Sequence, residues 1–201
     1  FDVKREVRRL EIHGNSAYSD GKLKGLLRTR GESTLRFWRS SPYRSDFIRV
    51  DRITLQSFYR RHGYLEARVD SVRVQPAPDS PSRVDVRFHL TEGPLSRVEA
   101  IRLEGAGPVA EVELRRILTA KPGDALDIPR VEVDRQAIEN RYGDLGYVAA
   151  QVRDSLEIDG GRVRVVHRIR PGDVARLRGV RVEGNKITHP KLVTRSLLVH
   201  P

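Results

Sequence analysis

Three nine-residue stretches share one pattern of apolar and polar positions: VRRLEIHGN (7–15), VEAIRLEGA (98–106) and LRGVRVEGN (177–185). Each carries apolar residues at relative positions 1, 4 and 6 and a glycine at 8. These are Val7, Leu10, Ile12 and Gly14; Val98, Ile101, Leu103 and Gly105; and Leu177, Val180, Val182 and Gly184. Alternation with charged or polar residues between predicts a half-buried strand. The glycine predicts a turn with positive φ at its end. Beyond each glycine come the pairs Leu23 and Leu27, Leu114 and Leu118, and Val193 and Leu197. A spacing of four lines one face of a helix. Gly31 and Gly123 are the expected stops of the first two of these helices.

A second repeat follows. VDRITLQSFYRRHGYLEARV (50–69) and VDRQAIENRYGDLGYVAAQV (133–152) agree at eight of twenty positions without a gap. The identities include Asp51 and Asp134, Tyr59 and Tyr142, Gly63 and Gly146, and Tyr64 and Tyr147. Val131, Ile138, Tyr142 and Leu145 trace a helix stripe; Ile48, Leu55 and Tyr59 repeat it, with His62 in place of the leucine. Gly63 and Gly146 are the expected left-handed stops, and the four tyrosines read as packing residues. Next come strands in YLEARVDSVRVQ and YVAAQVRDSLEI. Turn-formers at 76–82 and 159–161 and second strands in RVDVRFHL and RVRVVHRI then complete β-hairpins.

The order β-α-α-β-β therefore recurs: a first module over 1–94, a second over 95–172 and the start of a third over 173–201. The fold class is α+β, each module a three-stranded mixed sheet covered on one face by two helices.

Composition changes this picture little. Hydrophobic residues make up 38% and charged residues 32%, and no run approaches the ~18 apolar residues of a membrane-spanning helix. The absence of methionine leads us to expect a processed chain or a fragment of a longer one. The absence of cysteine removes disulfides, thiolate metal sites and a cysteine nucleophile. The net charge is +11, with only six lysines among 38 basic residues. Because the arginines are spread along the whole chain, a solvated Arg-rich surface explains them before nucleic-acid binding does.

Strands ending Gly14-Asn15 and Gly184-Asn185, the run Asp51, Leu55, Tyr59, Gly63, Tyr64 with its echo Asp134, Ile138, Tyr142, Gly146, Tyr147, and Glu92-Gly93-Pro94 before the next module resemble the POTRA (polypeptide-transport-associated) family. The second copy departs from it with Gly105-Ala106-Gly107 and with Arg170-Pro171-Gly172, and the first carries an insertion between Gly31 and Val50. Such tandem modules are similar to those of BamA/TamA-type outer-membrane assembly factors, with cell-division proteins carrying a single POTRA-like domain and two-partner secretion transporters as close competitors. The resemblance implies the periplasmic portion of a bacterial outer-membrane protein, with a C-terminal membrane β-barrel in the same full-length chain. It implies unfolded outer-membrane protein clients and periplasmic accessory proteins or lipoproteins as partners. It also implies strand augmentation at the first strand of each hairpin, at Leu65, Arg68, Val69 and Val72 and at Val148, Gln151, Val152 and Leu156. An anionic membrane surface is a further contact to be expected of a basic chain. A nucleic-acid-binding repeat protein is the alternative from another class.

No catalytic residues, metal ligands or cofactor are expected. The histidines at 13, 62, 89, 167, 189 and 200 lack ligand spacing, and no nucleophile elbow, zinc-protease or P-loop pattern occurs. GKLKG (21–25) reads as a helix start. The insert 31–47 holds the sole tryptophan, and Phe37, Trp38, Arg39 and Tyr43 form a candidate partner-contact loop.

Overall fold

A computed structural model describes residues 5–31 and 42–176. The first series of elements is β1 (Glu6–His13), α1 (Asp20–Leu26), α2 (Ser45–Arg61), β2 (Arg68–Ala77) and β3 (Ser80–Thr91). The second is β4 (Arg97–Glu104), α3 (Glu111–Ile117), α4 (Ile128–Asp144), β5 (Gln151–Asp159) and β6 (Arg162–Arg170). The sheets run β1-β3-β2 and β4-β6-β5. In the first, β1 is parallel and β2 antiparallel to β3. Packing groups the chain into two compact units. Among the described residues, one extends to Ile101 and takes in Ala120–Val131 and Leu156–Val165; the other comprises Arg102–Thr119, Glu132–Ser155 and Val166–Arg176.

The core follows the apolar pattern. Val84, Val86, Phe88 and Leu90 alternate inward along β3 against Leu23, Leu27, Leu55 and Tyr59 of the helical layer. Val7 and Leu10 stand three apart, which in a regular strand would aim them at opposite faces. A register shift between Val7 and Arg9 restores both, with Ile12, to the buried side. Gly14 (φ +91°) needs its glycine twice over, because a Cβ there would lie 1.9 Å from the Leu90 carbonyl oxygen.

Four expectations are corrected. The short helices stop at Leu26 and Ile117, ahead of Gly31 and Gly123. Leu27 and Leu118 turn extended there and keep their side chains in the core. Two buried carboxylates then hold the linkers. Asp51 accepts the N–H groups of Arg28 (2.7 Å) and Thr29 (2.9 Å), and Asp134 accepts the N–H and hydroxyl of Thr119, both at 2.7 Å. Leu145 leaves the helix stripe, 41% exposed, because α4 ends at Asp144.

The edge strands begin at Arg68 and Gln151, four residues later than Tyr64 and Tyr147. Turns closed by Ala67 N–H to Tyr64 and Ala150 N–H to Tyr147, each 3.0 Å, intervene. Of the turn-formers at 76–82, only 78 and 79 make the hairpin turn. After each module's sheet the chain is tied back by a backbone bond of the same length. Ser96 N–H donates to Gly63 and Ala175 N–H to Gly146, both at 2.8 Å. The expected third-module features from Leu177 onward lie outside the described residues.

Candidate functional site

The strand order places β2 and β5 at one edge of their sheets and β1 and β4 at the other. Arg68, Val69 and Val72 lie in β2, and Gln151, Val152 and Leu156 in β5; Leu65 and Val148 fall in the preceding turns. Val69 and Val152 face the cores, Val72 and Leu156 are half-buried, and Arg68 and Gln151 are exposed. What these edges offer is backbone hydrogen bonding rather than a row of apolar side chains.

The opposite edges are partly occupied by the chain itself. Glu6 bridges to Pro42, beside the bond from Tyr43 N–H to the Arg5 carbonyl at 2.8 Å. Arg97 bridges to Ala125, with Val98 N–H donating to Asp124 (2.9 Å) and Gly123 N–H to Val98 (2.8 Å). A strand added at β1 or β4 would have to displace these contacts.

The two hairpin edges differ in their flanking charge. Beside β2, Asp70 accepts the Thr91 hydroxyl at 2.6 Å and the Arg68 guanidinium at 2.7 Å. The Thr91 hydroxyl, and after it Arg68, hold this carboxyl below its ordinary value. Beside β5 a denser network joins strand to helix. Glu139 of α4 accepts the Val152 N–H at 3.1 Å through Oε1 and Arg135 at 2.9 Å through Oε2. Arg135 also reaches Asp154 at 3.7 Å, and Asp154 accepts from His167 Nδ1 at 2.8 Å. His167 is 1% exposed.

Sequence reasoning missed Glu139, Asp154 and His167 because none of them is repeated. Glu139 answers Gln56 in the aligned repeat, and His167 falls where RVDVRFHL carries Phe88. That loss of repetition was the available signal.

Among the tyrosines, Tyr59 and Tyr142 are fully buried packing residues with anchored hydroxyls. Tyr59 donates to Glu92 at 2.8 Å, and Tyr142 donates to the Ala106 carbonyl. Burial and the neighbouring Glu92 carboxylate push the Tyr59 phenol upward. Tyr64 and Tyr147 are only half-buried, packed edge-on against Tyr59 at 5.6 Å and Tyr142 at 5.9 Å. Tyr64 also lines a cavity of about 300 Å³ with Tyr18, His62, Asp124 and Asp127, so it is less a core residue than the stripe suggests.

Of the partner-contact loop, Tyr43 is half-buried against the first core, while Phe37, Trp38 and Arg39 lie outside the described residues. Among the described residues no three His, Asp or Glu side chains are placed to hold a metal ion. No helix among them is long and apolar enough to cross a membrane, which says nothing of strands.

A family model for POTRA, described as surface antigen variable number repeat, matches residues 6–93 and again 96–172. The outer membrane protein assembly factor BamA of Neisseria meningitidis serogroup B is 27% identical over 192 residues, covering 94% of this chain and 24% of that relative. BamA of Neorickettsia risticii is 24% identical over 198 residues, covering 96% and 26%. The chain thus spans about a quarter of the length of the curated relatives it matches. In fold it is similar to the crystal structure of POTRA domains 3–5 of Haemophilus influenzae BamA. That likeness has a TM-score of 0.59 at 19% identity, over 98% of this chain and 78% of the other. Two consecutive family matches, each laid over one round of the β-α-α-β-β order, establish that the chain belongs to the POTRA family.

Proposed function

We propose that this chain is the periplasmic part of an outer-membrane β-barrel assembly or protein-translocation factor, and that it binds extended client polypeptides by strand addition at β2 and β5. The observation that carries the reading is the sheet order. The first strand of the hairpin is terminal in both sheets, while the start of the opposite terminal strand is bridged by the chain's own loops. A terminal strand offers N–H and C=O groups at a fixed spacing whatever its side chains, so clients need share no sequence. Similarity to proteins named as outer membrane assembly factors supports the setting.

The module limits 1–94, 95–172 and 173–201 belong to this proposal. So do docking of accessory proteins or lipoproteins and a membrane β-barrel elsewhere in the full-length protein. The role is non-enzymatic: capture and hand-over, with no bond made or broken.

The test uses a urea-denatured outer-membrane barrel protein diluted into the folded chain, with capture read by suppression of light scattering. Proline is tolerated at the first residue of a strand, so Arg68→Pro combined with Gln151→Pro disturbs the start of both edge strands with the least damage to the sheets. Capture should fall about ten-fold while circular dichroism is unchanged. Undiminished capture by a folded double variant sinks the reading. Tight binding of generic single-stranded DNA that collapses with added salt would favour the nucleic-acid alternative instead.

A further inference from the structure

The two hairpin edges are not equivalent sites, and the difference lies in one backbone donor. Along β5 the Val152 N–H is bonded to the Glu139 carboxylate at 3.1 Å. Along β2, among the described residues, no side chain takes a backbone N–H. Gln56 stands in α2 where Glu139 stands in α4. An amide oxygen there would be a weaker acceptor than a carboxylate, since hydrogen bonds to ionised groups are about twice as strong as neutral ones.

Glu139 is also held in place. Arg135, one turn earlier on α4, grips its other oxygen at 2.9 Å. Arg135 is positioned in turn by Asp154, whose second oxygen takes the His167 Nδ1 proton at 2.8 Å. The chain of contacts runs from the centre of the sheet, at His167 on β6, through the edge strand to the helix. Its side chains are buried or partly buried, where charged hydrogen bonds are poorly replaced by water. The first sheet has the same arginine, Arg52, but Phe88 where the second has His167, so it cannot build this chain of contacts.

We propose that Glu139 is a latch on the β5 edge. An extended polypeptide adds to β5 only by supplying a backbone carbonyl that replaces the Glu139 carboxylate on Val152 N–H, whereas β2 accepts a strand without such displacement. The inference rests on the strand-addition reading above. It makes the second module the discriminating one: it rejects segments that bind weakly, and it takes those whose neighbouring pairs repay the loss of the latch.

The chain has no cysteine, so single-thiol variants are clean reporters. The probe is an extended peptide of about ten residues, alternating Thr and Val, with one terminal cysteine. Disulfide capture is compared in full-length Arg68→Cys and Gln151→Cys proteins, each with and without Glu139→Ala. Capture by the Gln151→Cys protein should rise about ten-fold when Glu139 is removed, and capture by the Arg68→Cys protein should not change. Amide exchange at Val152 should accelerate by a similar factor.

Should Glu139→Ala lose its fold by circular dichroism, Glu139→Gln serves in its place, and an intermediate rise is expected. Capture by the Gln151→Cys protein that is indifferent to both folded variants overturns the latch. If the Arg68→Cys protein captures peptide at the same time, strand addition survives and only the latch falls. Absence of capture by every variant sinks both.

Discussion

In the first sheet Phe88 fills the middle of β3 at 0% exposure with no polar atom to satisfy. In the second, His167 stands at the matching place in β6 at 1% exposure, with Asp154 beside it on β5. The tyrosines diverge in the same way. Tyr59 reaches a carboxylate, Glu92, which also gathers the N–H groups of Ser16 (2.8 Å) and Ala17 (2.9 Å) and the Ser16 hydroxyl (3.0 Å). Tyr142 has Pro171 where Glu92 would be, and donates straight to the Ala106 backbone. Fold and packing are thus conserved between the two copies while the polar interior is rebuilt, and His167, Tyr59 and Tyr142 each appear together with a partner. The lesson is that a repeat tolerates a new buried polar residue when a second change satisfies it.

The largest effect that breaks this comparison is the substitution Phe88→His. It imports the histidine without Asp154, removing a large apolar side chain and burying an unpaired ring nitrogen. Urea unfolding should register a loss of about 4 kcal/mol. A loss below 1 kcal/mol would mean that β3 finds its own partner for the ring and that the pairing in the second sheet is dispensable.

Next come the buried aspartates, the feature both repeats share. Asp51→Ala strands the N–H groups of Arg28 and Thr29, and should cost about 3 kcal/mol. Asp134→Ala should cost a similar amount at Thr119, which sharpens the claim that this element is common to both copies.

The smallest effect is pH-dependent and belongs to the first copy alone. Burial pushes Glu92 upward, but the Ala17 N–H, the Tyr59 hydroxyl and Ser16 outweigh it and hold the carboxyl below its ordinary 4.5. A carboxyl lowered in the folded state contributes fully above 4.5 and loses that contribution as the pH falls through its lowered value. Glu92→Gln should therefore cost about 1 kcal/mol at pH 7 and reduce the slope of stability against pH below 4.5. Glu11, Asp20, Asp46, Asp70 and Asp85, also lowered, keep the rest of that slope. An unchanged slope in acid titration would remove Glu92 from the account.

Much of the fold was legible because it is written twice. Val84, Val86, Phe88 and Leu90 alternate plainly, and Leu55 and Tyr59 step along one helix face. The stops of the short helices were not legible. Leu27 and Leu118 leave the helix to fill the core, and the carboxylate that receives the departing backbone comes from 15 to 23 residues along the sequence, a tertiary effect. At the edges, Arg68 and Gln151 could be assigned to strands from alternation. The Tyr64 and Tyr147 turns delay those strands through local backbone bonds that alternation does not encode. Glu139 was not legible, since nothing in a helix pattern says that a carboxylate will reach the backbone of a strand thirteen residues on.

The bond from Ser96 N–H to Gly63, answered by Ala175 N–H to Gly146, uses only peptide groups and a glycine. Every residue except proline brings that donor, and every residue brings that acceptor. A coding segment duplicated in tandem would carry its own connector in both copies, and the joint would form without any compensating side-chain substitution. Array length can then drift by whole units over evolutionary time without a new connector, while the edges and interiors of the copies diverge at leisure.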